Sequence, residues 1–302
     1  MVRVLIAALV IPLGLDLYMP VPEDNPITTE KIELGRRLFN DRRLSRDGTI
    51  ACSSCHDPEH AFSNAAAISP GVSGRRGRRN APALINRGWG RLFFWDGRVA
   101  TIEEQVLKPI EDPNEMDLSI AEASKRLDVS PQNMSRALAT YIRSIMSGNA
   151  PYDRYVNGDR AALSADAQGG LKVFRGKGNC TACHVGPNFT DEKLHNTGIA
   201  WAGPAGAVGT AGSFLDEGRA AITGKPEDRG AFKTPTLREI ERSAPYMHDG
   251  SLPSLDEVVD YYDRGGNRHA LLDPEMRPIG LTASEKYALI AFLRSLSGNV
   301  TR

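Results

Sequence analysis

The chain has 302 residues, with 37 basic and 37 acidic side chains for a formal charge of zero. Apolar residues make up 41% and charged residues 25%, an ordinary globular mix. This balance excludes a global electrostatic bias toward nucleic acid or an anionic membrane surface, and the length leads to an expectation of two domains.

At the N-terminus, Val4 to Leu15 is apolar apart from Pro12 and Gly14, and follows a single Arg3. The run is too short for a transmembrane span. It reads as the h-region of a secretory signal with a minimal basic start and no clear A-x-A cleavage site. Residues 1–19 are therefore assigned as a signal-like segment, and export to the periplasm is expected.

Next comes a helix carrying Gly35 and Phe39 one turn apart, followed by Cys52-Ser53-Ser54-Cys55-His56. A second such set, Gly170 and Phe174 before Cys180-Thr181-Ala182-Cys183-His184, uses the remaining cysteines. Cys-x-x-Cys-His is the attachment signature of c-type haem: the thiols add to the vinyl groups and the adjacent histidine is held as proximal ligand. The competing reading is one Cys₄ zinc site. A histidine abutting both pairs, and their wide separation in the chain, argue against it.

Between the motifs, Arg75, Arg76, Arg78 and Arg79 form the densest basic patch, read either as a solvated loop or as a docking or propionate contact. Each half also closes alike. Ala137 to Ile145 matches Ala288 to Leu296, and both then run through Ser-Gly-Asn at 147–149 and 297–299. Ser130 before Pro131 is an N-cap signal, Thr282 and Glu285 have capping-box spacing, and Gly148 and Gly298 are read as the helix stops. A glycine lets two helices cross closely while an aromatic from each fills the space beside them. The segment from Gly198 to Gly230 is loop-rich, with no sustained strand alternation. The expectation is a mainly α protein with long loops, divided as 1–19, 20–162 and 163–302, with the boundary near Asn157 to Ala167.

The helix repeat is similar to the cytochrome c fold. Further motifs are Asn80-Ala81-Pro82, Phe94-Trp95-Asp96-Gly97-Arg98, Glu103-Glu104-Gln105, Lys108-Pro109-Ile110, Pro113-Asn114-Glu115-Met116 and Ala244 to Leu252. With these, roughly residues 20 to 298 resemble the bacterial di-haem cytochrome c peroxidase family, in its MauG-like branch. The resemblance implies two tandem cytochrome c-like haem domains, the first peroxidatic and the second for electron transfer. It makes Glu115 the distal acid/base, with Gln105 and Pro109 lining the peroxide pocket and Trp95 between the two haems. Cleaving the O–O bond of hydrogen peroxide requires a proton to leave one oxygen and arrive at the other, which one carboxyl can do in turn. The resemblance also implies a calcium ion held by the Asn80 side chain and the Ser243 and Pro245 carbonyls, all hard oxygen donors.

Two positions depart from the family's usual pattern. Where many members place a histidine that blocks the first haem until reduction, this chain has Val72, so the first haem is expected to be open. Where the peroxidases have methionine as ligand of the second iron, this chain has Tyr262, the MauG-like choice. A phenolate favours ferric and higher states, whereas a thioether favours ferrous. Met247, His195, His269 and Met276 remain alternatives on ligand chemistry alone. The function classes are a peroxidase fed by a small cytochrome or cupredoxin, a MauG-like peroxide-dependent oxidase of a protein substrate, and a plain di-haem electron carrier. An open pocket equipped with an acid argues against the carrier.

Overall fold

The structure, a computed structural model, describes residues 9–203 and 212–301. Five longer helices frame it: α1 (Thr29–Phe39), α2 (Pro131–Ser144), α3 (Ala165–Arg175), α4 (Leu255–Asp263) and α5 (Ala283–Arg294). Their starts are written locally. The hydroxyls of Thr28, Ser130, Ser164, Ser254 and Thr282 each accept a first-turn N–H, and Glu285 returns the bond to Thr282, completing the capping box.

The repeat is built into two helix crossings. α1 lies on α2 so closely that a Cβ on Gly35 would fall 2.1 Å from the Ala137 carbonyl oxygen; on Gly170 of α3 it would fall 1.9 Å from that of Ala288 in α5. Ala137 and Ala288 are equivalent in the two closing sequences, so the same residue pair makes both crossings. Beside each, the aromatics meet as the spacing predicts: Phe39 and Tyr141 at 5.2 Å, Phe174 and Phe292 at 5.0 Å between centroids. Each crossing has its own apolar core, one around Phe39, Leu138 and Ile110, the other around Phe174, Leu289 and Phe292.

The remaining described residues form loops, short helical turns and six two-residue strands: β1 (Ser147–Gly148), β2 (Leu194–His195), β3 (Trp201–Ala202), β4 (Ser213–Phe214), β5 (Phe232–Lys233) and β6 (Asn299–Val300). They pair antiparallel as β1 with β6, β2 with β5 and β3 with β4. Here the sequence reading of Gly148 and Gly298 is corrected. α2 ends at Ser144 and α5 at Arg294, before either glycine. The glycines instead let backbones touch where the two halves end, because a Cβ on Gly298 would lie 2.2 Å from the Gly148 oxygen.

Of the apolar N-terminal run, residues 1–8 lie outside the described residues. The part from Leu9 onward packs across both halves, with Leu15 and Met19 buried. The Gly14 carbonyl accepts from Arg238 Nη2 at 2.9 Å, and Arg238 is itself buried against Asp153. No helix among the described residues is long and apolar enough to cross a membrane.

Candidate functional site

A cavity of about 770 Å³ opens between the two halves, and both Cys-x-x-Cys-His segments line it through Cys55, His56, Cys180, Cys183 and His184. Cys52 stands one helical turn before Cys55, against the first core. Burial pushes the Cys52 and Cys180 thiols up to about 12, so both are neutral. His56 donates from Nδ1 to the Phe62 carbonyl at 2.9 Å, and His184 does the same to Phe189 at 2.8 Å. A carbonyl only accepts, so each ring carries its proton on Nδ1 and keeps a lone pair on Nε2, the arrangement of a metal-ligating histidine. Burial lowers both pKa values, which favours that neutral form. Both acceptors, Phe62 (φ 54°) and Phe189 (φ 52°), are in the left-handed region, strained for an aromatic residue. Among the described residues no three His, Cys, Asp or Glu side chains cluster as a metal site, so the two cysteine pairs do not converge on one ion. A large cavity, two prepared imidazoles and two cysteine pairs fit a haem at each motif.

Glu115 lies on the first-half wall of this cavity with Gln105 and Pro109. Its loop is a turn dictated by Asp112-Pro113-Asn114: Asp112 Oδ1 accepts the Asn114 N–H at 2.8 Å, and its carbonyl accepts the N–H groups of Glu115 and Asp117. The Pro109 carbonyl accepts from Met116, a buried residue that anchors the far side. Burial raises the Glu115 carboxyl to about 7, with Asp112 adding to the shift and Arg98 opposing it. A Cβ on Gly77 would sit 4.0 Å from Glu115 Oε1 with nothing nearer, so open space lies above the carboxyl. Val72 is fully buried, and its side chain is not among those lining the cavity.

Trp95 joins the halves. Its Nε1–H donates to the Asn80 carbonyl at 2.8 Å, while its own carbonyl accepts the Lys233 N–H at 2.7 Å. Asn80 spends Nδ2 on the carbonyls of Ala66 and Ala67, leaving Oδ1 as the end of the side chain available to a cation. Asn80, Ser243 and Pro245 all line the same cavity.

Tyr262 projects from α4 onto the second-half wall, and burial holds its phenol above the ordinary range. Its neighbour Tyr261 is buried and donates to the Thr197 carbonyl at 2.9 Å. Two of the alternative ligands have both ring nitrogens engaged. His195 is held between Asp273 at 2.6 Å and Asp191 at 2.9 Å, and His269 between the Leu271 N–H and Asn196 Oδ1. Met247 and Met276 line the cavity as Tyr262 does.

Several cavity residues escaped the sequence reading. Lys233, buried between Glu192 and the Thr234 carbonyl, carries no motif. His248 stacks on Phe232 at 3.7 Å with Nδ1 unpartnered; its signal was the Ala244 to Leu252 motif, in which it was given no role of its own. Of the basic patch, Arg79 is spent on Asp96 and Asp216 and Arg75 on Asp117, whereas Arg76 and Arg78 are exposed.

A fold of paired helices around two Cys-x-x-Cys-His segments defines a class, and the comparisons agree. The sequence model described as di-haem cytochrome c peroxidase matches residues 29–161. The methylamine utilization protein MauG of Methylorubrum extorquens is 38% identical over 296 residues, covering 92% of this chain and 81% of that protein. The cytochrome c551 peroxidase of Pseudomonas aeruginosa is 31% identical, covering 95% and 86%. A crystal structure of a MauG-like protein associated with microbial copper homeostasis superposes with a TM-score of 0.85 at 34% identity, covering 94% of this chain and 95% of the other. The chain belongs to the di-haem cytochrome c peroxidase family. It is a peroxidase, an oxidoreductase that takes hydrogen peroxide as acceptor.

Proposed function

We propose that the chain reduces hydrogen peroxide at an open first haem held by Cys52, Cys55 and His56. Cys180, Cys183, His184 and Tyr262 would hold a second haem, which would supply electron transfer. When bound, the haems supply the electron transfer and the iron at which peroxide reacts. The protein's part is proton chemistry and placement. Glu115, as carboxylate, takes a proton from one peroxide oxygen and returns it to the other as the O–O bond breaks, so that two electrons and two further protons yield two waters. Gln105 and Pro109 shape the pocket, and Trp95 bridges the halves by its bonds to Asn80 and Lys233. The reading includes a calcium ion on Asn80, Ser243 and Pro245, tandem cytochrome c-like domains over 20–162 and 163–302, and export to the periplasm. The reductant would be a small cytochrome or cupredoxin.

The observation that carries this reading is the Glu115 carboxyl, raised to about 7 on the wall of the cavity that His56 also lines. A second reading, oxidation of a protein substrate by peroxide, is favoured by Tyr262 on the opposite wall. Haem staining of denaturing gels with a pyridine haemochrome assay, then stopped-flow mixing with peroxide and candidate donors, tests the proposal. Two covalent haems and donor oxidation linked to peroxide are expected. One haem per chain, or no reaction with peroxide, would overturn it.

A further inference from the structure

We propose that Arg75 is a positioning residue for the peroxide reaction: it clamps the loop that bears Glu115 and so fixes the carboxyl in the cavity. The proposal rests on Glu115 being the acid/base. Residues 112–117 form a turn with no helix or strand to stiffen them. Beyond the turn's own hydrogen bonds, a second loop, residues 70–77, is laid against them. The Val72 N–H donates to the Glu115 carbonyl at 2.8 Å. The loops approach so closely at Gly71 that a Cβ there would fall 2.0 Å from the Asn114 oxygen.

Arg75 spans this contact. Its Nη1 donates to the Pro113 carbonyl and its Nη2 to Asp117 Oδ2 at 2.9 Å, so one guanidinium holds the residues two before and two after Glu115. Asp117 also receives Arg46 Nη1 at 2.7 Å, while the Arg46 N–H donates to the Met116 carbonyl. These two arginines hold the Asp117 carboxyl below the ordinary range, Arg46 first and Arg75 second.

An ion pair this close to solvent adds little stability, so the importance of Arg75 is geometric. A planar fork fixes two acceptors at once, which the single ammonium of lysine does not. Arg75 is not among the charges that shift Glu115, which are Asp112 and Arg98. Its effect therefore runs through the placement of the carboxyl, where a displacement of about 1 Å costs on the order of 100-fold in rate.

The test is a double-mutant cycle in the haem-loaded full chain, comparing wild type, Arg75→Ala, Glu115→Gln and the double variant in stopped-flow reaction with hydrogen peroxide. Hydrogen exchange over residues 70–77 gives a readout independent of activity. Arg75→Ala is expected to slow the reaction by roughly 10- to 100-fold and to speed exchange at the Val72 amide. The double variant should be no slower than Glu115→Gln alone. Arg75→Lys, which keeps the charge at Asp117 but not the fork, should recover only part of the rate. A wild-type rate in Arg75→Ala beside a slow Glu115→Gln overturns this inference alone. So does an equal loss in both backgrounds, the mark of a merely structural role. A wild-type rate in Glu115→Gln removes the acid/base reading and this inference with it. If Arg75→Ala does not fold, Arg75→Lys takes its place in the same cycle.

Discussion

The amide of Val72 donates to the carbonyl of Glu115 at 2.8 Å, so the position where many family members carry a blocking histidine is tied to the candidate acid. Val72 has no ligating atom, and its side chain is buried away from the cavity. The oxidised protein is therefore expected to hold its first haem high-spin and to react with peroxide without prior reduction. Electron paramagnetic resonance should show an axial high-spin signal beside a low-spin one. Two low-spin signals, with reactivity gained only after partial reduction, would show that another residue closes the site.

Glu115→Gln is nearly isosteric and should keep both haems while slowing peroxide cleavage by roughly 100-fold or more, the usual scale for a lost acid/base. An unchanged rate removes Glu115 from the mechanism.

The same carboxyl sets a pH dependence. Its pKa is raised to about 7, chiefly by burial. The carboxylate must accept the first proton, so the rate with peroxide should climb from about pH 5 and level off above about pH 8. Glu115→Gln should lose this rise. The stability term has the opposite direction: the folded protein binds this proton more tightly than the unfolded chain. The contribution is full below the ordinary value of 4.5 and is lost as pH rises through about 7. A profile flat between those limits would show that Glu115 does not titrate there.

With Tyr262 as the ligand, Tyr262→Met should raise the potential of the second haem and produce the near-infrared band of methionine ligation, because a thioether would replace a phenolate. Spectroelectrochemical titration measures both. If the wild type already titrates at high potential with that band, Tyr262 is not the ligand, Met247 becomes the leading candidate, and the reading as an oxidase of a protein substrate loses its support.

Gly35→Ala and Gly170→Ala each drive a methyl into a backbone carbonyl, at 2.1 and 1.9 Å before relaxation. Each should destabilise its helix pair by about 1–3 kcal/mol, the range of overpacked contacts, as read by chemical denaturation. Full stability in either variant would mean that its crossing is looser than described.

Much of the frame was legible because it rests on local rules and one repeat. Hydroxyl caps at Ser130 and Thr282, glycine crossings at 35 and 170, and aromatic partners at 141 and 292 all follow from residue type and spacing. What escaped depends on backbones meeting far apart in sequence. Gly148 and Gly298 have the composition of helix stops, and only the antiparallel pairing of β1 with β6 shows why no side chain is tolerated at 298. Phe62 and Phe189 gave no hint of left-handed backbone, since an aromatic residue type does not signal it, and only the structure shows their carbonyls turned to the histidines. Arg75 read as one charge in a basic run. Its role appears only when the loop at 70–77 is laid against the loop at 112–117.

The pairing of Ser147 with Val300 also bears on the order in which contacts can form. The α1–α2 crossing draws its partners from within the first half and can form without the second half. The β1–β6 join cannot. It closes a loop of about 150 residues, the slow, high-separation kind of contact, and it requires Asn299 and Val300. A chain folded only in its first half would therefore have the α1–α2 pair assembled while the seam beside Ser147 still lacked its partner strand.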